Sequence, residues 1–125
     1  MDITYLKECL KKRIELKSLY PKLIGRHNYF DKNVDKLIKG IKLVTKNDKL
    51  IQADKEYLYM LGKEFIVIRD DEIKFHESKI STLFGNVIHD CETELYSVAL
   101  DVFQTYGSSA NISSENISSA NISRR

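Results

Sequence analysis

The chain has no tryptophan, one proline, two cysteines and five glycines among 125 residues, and no apolar run approaching the roughly 20 residues that a bilayer span needs. Each shortage excludes something. Cys9 and Cys91 come with neither a CxxC pair nor paired histidines, so no zinc site is legible, and both fall on apolar helix faces where free thiols act as small hydrophobes. The scarce glycines form no phosphate-binding loop and no nucleophile elbow, and no paired-histidine metalloprotease helix is present; the expectation is a non-enzyme with no cofactor and no metal. Asp2, Lys7 and Glu8 stand where a signal peptide would place its apolar region, so the sequence predicts no membrane partner and a location in cytoplasm or inside a virion, of viral or phage origin among others.

What is present is a mixture of 42% hydrophobic and 30% charged residues, enough for one compact domain over residues 1–106, followed by a low-complexity Ser/Asn/Ile tail at 107–125. The net charge of +2 hides a division along the chain. Residues 1–63 hold fifteen Lys or Arg against eight acids (+7), residues 64–106 hold three against nine (−6), and the tail adds +1. Such a layout is satisfied inside the fold, by an anionic partner, or between copies packed head to tail.

The elements predict a mainly α fold with one β-hairpin, an α+β chain of three to four helices. Residues 2–19 read as a helix whose inward face is Ile3, Leu6, Leu10 and Ile14, widened by Cys9, Leu16 and Leu19. Pro21 stops it at Tyr20, and a connector runs through Gly25 to Tyr29. From Asp31, a candidate N-cap, Val34, Leu37, Ile38, Ile41 and Val44 share one face, and Lys32, Lys36, Lys39, Lys42 and Lys46 share the other. Residues 41–61 read either as helix, broken at Asn47-Asp48 and stopped by Gly62, or as a strand meander. The dense run Phe65 to Ile68, the acidic Asp70-Asp71-Glu72 and the alternating Ile73 to His76 predict the hairpin over about 64–76. A long C-terminal helix follows over about 78–106, capped by Ser78, in which Ile80, Phe84, Val87, Cys91, Leu95, Val98, Val102 and Tyr106 recur at an eleven-residue period across Gly85-Asn86.

The tail repeats every five residues: Ala110-Asn-Ile-Ser-Ser, Glu115-Asn-Ile-Ser-Ser, Ala120-Asn-Ile-Ser-Arg. That order resembles the pentapeptide-repeat family, which implies a four-sided β-helix with the apolar residue inward. Three pentapeptides fall short of one coil, so the segment is expected to stay mobile unless a partner orders it. Asn111, Asn116 and Asn121 lie in formal glycosylation sequons.

Three chemistries merit weighing. Asp54 with Glu72 and Lys74 has the residue types of a metal-dependent nuclease, but the turn expected at Glu72 is the wrong place for a core-strand Glu-x-Lys pair. His76, Glu77, His89, Asp90, Cys91 and Glu92 are metal-capable types, better read as a solvated acidic surface. The lysine stripe can follow a nucleic-acid backbone or simply solvate a packed helix. The favoured function is a small interaction or assembly protein that binds itself or a larger complex through Phe84, Val87, Cys91, Leu95, Val98 and Val102. The alternative is a winged-helix-like DNA binder that uses Lys32, Lys36, Lys39, Lys42 and Lys46, with residues 62–77 as its wing.

Overall fold

The computed structural model describes residues 3–22, 24–46, 49–77 and 83–118, with side-chain surroundings for 3–22, 27–46, 49–76 and 87–107. Asp2, Asn47-Asp48, Ser78, Ile80, residues 119–125 and the side chain of Phe84 therefore lie outside the description. Four helices follow one another: α1 (Ile3–Leu19), α2 (Ile24–Val44), α3 (Gln52–Glu77) and α4 (Leu83–Ser118). The short connections turn each helix back on its predecessor. The most extensive contact is between α3 and α4; α1 packs on α4, and α2 touches the other three, so α1 and α3 stand at opposite corners of a bundle.

The hairpin is not formed. Residues 64–76 lie inside α3, and no strand occurs among the described residues. The decisive signal is the buried series Leu58, Leu61, Phe65, Ile68 and Glu72, whose steps of three and four run straight through the supposed strands and turn. The β-branched run hid this because Val67 is 58% exposed and contributes nothing to the core. Glu72, read as a turn acid, is buried and belongs to that series. Asp70-Asp71-Glu72 lacks the Gly, Pro or Asn that would impose a turn, so the helix continues.

The helical reading of 41–61 holds, with two differences. Gly62 does not stop a helix: it is buried within α3, and a Cβ there would lie 2.8 Å from Gln104 Cγ of α4. Its lack of a side chain serves close helix packing. Asp54 lies in the first turn of α3 as a cap acid, its Oδ2 accepting the Ile51 N–H at 3.4 Å and pairing with Lys46.

The expected connector at 25–29 is helix, and Asp31 is not a cap but an exposed residue inside α2 bonded to Lys17 at 2.8 Å. Among the described residues the buried seam of α2 includes His27, Phe30, Asn33, Leu37, Ile41 and Val44. Its two polar members conceal the early turns from a count of apolar residues. In α1 the inward residues are Leu6, Cys9, Arg13 and Leu16, so the apolar stripe is rotated and Ile14 stays 47% exposed.

Helix α4 is the spine. Ile88, Leu95, Tyr96, Ala99, Val102 and Phe103 are fully buried on it. Phe65 sits 5.9 Å from Tyr96 and 5.7 Å from Phe103, while Tyr29 meets Tyr96 edge-on at 6.4 Å, so aromatic rings from α2 and α3 converge on one face of α4. Each such ring stabilises the fold by about 1.5–3 kcal/mol through burial. Helix α4 continues to Ser118, so residues 110–118 of the five-residue repeat are helix and not β-helix.

Candidate interaction surfaces

Two polar clusters fix how the helices meet. Arg13 of α1 is fully buried and donates through Nε and Nη2 to Glu92 Oε2 of α4, both at 2.6 Å. Its guanidinium lies 4.4 Å from the Phe30 ring centre of α2, and Nη2 is 3.4 Å from His27 Nδ1. His27 Nε2 is 2.6 Å from the Tyr20 carbonyl. A carbonyl only accepts and a guanidinium only donates, so this arrangement calls for the tautomer with hydrogen on Nε2. One buried pair thereby sets the register of α1, α2 and α4. At the other end of α3, Glu72 lies 3.2 Å from His89 Nδ1, and the rings of His76 and His89 stack at 3.8 Å.

The residues singled out from sequence are dispersed among these features. Asp54 and Glu72 are eighteen residues apart on one helix, about 27 Å, so with Lys74 they form no single site. Among the described residues no three His, Cys, Asp or Glu side chains are grouped to hold a metal. Cys9 and Cys91 are free, buried thiols that line one cavity of about 170 Å³ between α1 and α4. Burial raises both thiols, Cys91 to about 11. Beside them Tyr5 donates to Glu94 at 2.6 Å, which lifts its phenol above the usual range.

The α4 set proposed as an interface is largely consumed inside the chain: Leu95 and Val102 are fully buried, Cys91 is 7% exposed, Val98 is half-buried, and Val87 remains at 38%. The lysine stripe is likewise partly engaged by α3. Lys36 pairs with Glu64 at 3.5 Å, Lys46 pairs with Asp54 at 3.4 Å, and Lys39 Nζ stands 4.5 Å over the Tyr57 ring. Lys32 and Lys42 are exposed. With 62–77 helical, the wing of a winged helix is missing.

Sequence reasoning assigned Leu10, Ile14, Ile38 and Ile41 to the core. Ile41 is buried there and Leu10 packs against it, but all four also line a groove of about 500 Å³ between α1 and α2, with Lys7, Lys11, Glu15, Lys42 and Thr45 around it. Ile14 and Ile38 are 47% and 37% exposed. A signal was available: α1 carries more apolar positions than one face can bury, and Leu10 and Ile14, among those left over after Leu6, Cys9 and Leu16, line the groove. No protein-family model, curated protein or solved structure matches the chain. Its surfaces therefore carry the functional reading, and the second one of note is the outer face of α3. There Met60 and Val67, 56% and 58% exposed, stand two turns apart, with exposed Phe75 beyond and Glu56, Glu64 and Asp71 alongside. No helix among the described residues is long and apolar enough to cross a membrane.

Proposed function

We propose that this chain is a small non-enzymatic interaction or assembly protein, a helical component that docks protein through the α1/α2 groove. The groove carries the reading. Exposed isoleucines in an open groove, with Leu10 and Ile41 beside them and lysines along it, suit helix-in-groove recognition, in which a partner helix lays its apolar side along the floor. The flanking lysines Lys7, Lys11 and Lys42 suit a partner with acidic flanks. Association through α4, which the sequence suggested, gives way to this surface because α4 spends its apolar face on the bundle.

A photoreactive benzophenone side chain placed at position 14, in the cells that make the protein, tests the reading. The expected result is a discrete protein adduct at 14 and none when the probe replaces Leu19, which is 67% exposed but outside the groove. Adducts to nucleic acid, or no protein adduct, would overturn it. The DNA-binding alternative draws on Lys32 and Lys42, with Lys36, Lys39 and Lys46 already facing α3 groups.

A further inference from the structure

We infer that the groove's occupant is the outer face of α3 in a second copy of this chain, so that copies associate head to tail; this rests on the groove being a protein-docking site. Three observations converge. Charge leans the same way: three lysines and one glutamate flank the groove, while Glu56, Asp71 and Glu64, the last also paired with Lys36 of its own chain, flank Met60 and Val67, with Lys63 and Lys74 on the same face. Length matches as well. The α1 wall from Lys7 to Glu15 spans about 12 Å, and Met60 to Val67 about 10.5 Å, so both apolar anchors reach the floor of one groove.

Position is the third. Helix α3 stands at the corner opposite α1, so the α3 face cannot fill the groove of its own chain. The contact is heterologous, and its repetition gives a ring or an open filament. Each copy then presents a basic trough on one side and an acid-flanked ridge on another.

The experiment is sedimentation of the full chain over a wide concentration range, for the wild type, a groove variant (Ile14→Asp with Ile38→Asp) and a ridge variant (Met60→Lys with Val67→Lys). All four positions are exposed, and circular dichroism checks that each variant keeps its helices. Wild-type mass should rise with concentration, and each variant alone should associate at least about tenfold more weakly. The groove variant retains a sound ridge and the ridge variant a sound groove. An equimolar mixture should therefore form a one-to-one dimer that grows no further. If the aspartates unfold the groove variant, Lys7→Glu with Lys11→Glu replaces it and should give the same complementation. Wild-type association that the ridge variant leaves intact, or variants that fail to complement, would overturn the α3 assignment while leaving groove docking in place. A chain monomeric at every concentration would overturn it too, and a position-14 adduct to a different acidic-flanked protein would then show that the docking reading survives without it.

Discussion

At the scale of single residues, Arg13 and Glu92 are the most consequential pair. Both are fully buried, and a buried ion pair leaves an uncompensated charge when one partner is removed. Arg13→Met or Glu92→Leu alone should lower stability in urea unfolding by about 3–5 kcal/mol, whereas the double variant should recover most of that loss. A double variant no better than the singles would show that packing around Phe30 and His27, and not the charge pair, holds this site together. Cys91 gives a second prediction, with a definite sign. Burial raises its thiol from 9.0 to about 11, so the folded chain holds this proton more tightly than the unfolded chain. The stability this confers is complete below pH 9 and is lost as pH climbs through about 11. Unfolding measured from pH 8 upward should show wild type losing about 1–2 kcal/mol more than Cys91→Val over that window. Parallel pH profiles would contradict the burial of this thiol.

At the scale of elements, the sequence shows helices well where the apolar count and the buried count agree, and misleads where polar residues occupy buried positions. The C-terminal end of α1 and the long run of α4 were readable because Pro21 and a continuing apolar phase mark them. The start of α2 was not, because its first buried residue among those described is His27; nor was the course of α3, because buried Glu72 looked like a turn acid and exposed Val67 like a strand residue. Of the candidate surfaces, the lysine stripe was legible from spacing alone. The groove was not, since only the packing of α1 decides which of its two apolar stripes is turned inward. Glycine was misread in the same way. Gly62 and Gly107 allow α3 and α4 to approach closely, and a Cβ on Gly107 would lie 2.5 Å from the Tyr59 backbone nitrogen. Gly107→Ala should therefore destabilise the fold by about 1–3 kcal/mol in thermal or urea unfolding, although the same change in an isolated helix is stabilising by about 1 kcal/mol. An alanine variant as stable as wild type would place the two helices farther apart than described.

At the scale of the whole molecule, the arrangement of charge gives a protein partner and a nucleic-acid partner different expected salt responses. Duplex binding by all five lysines of the α2 stripe would release counterions at about 0.9 per phosphate, a slope near −4.5 in log affinity against log salt. The bundle leaves much less. Lys36 and Lys46 are paired with acids of α3, Lys39 lies on Tyr57, and Lys42 borders the groove. The acids that accept them add local negative charge where a phosphate backbone would have to lie. Any duplex binding should therefore be weak, with a slope no steeper than about −2; Lys36→Gln with Lys39→Gln should change it little, and adding Lys32→Gln should cut it by about half. Groove-mediated association of the chain should respond differently. Its apolar part persists as salt rises, and only the contribution of Lys7, Lys11 and Lys42 is screened. Duplex titration and sedimentation, each repeated across salt, separate the two behaviours. A slope near −4.5 abolished by the lysine variant would mean that the α2 lysines leave their α3 partners for phosphate, and the surface that matters would then be α2's outer face instead of the trough beside it.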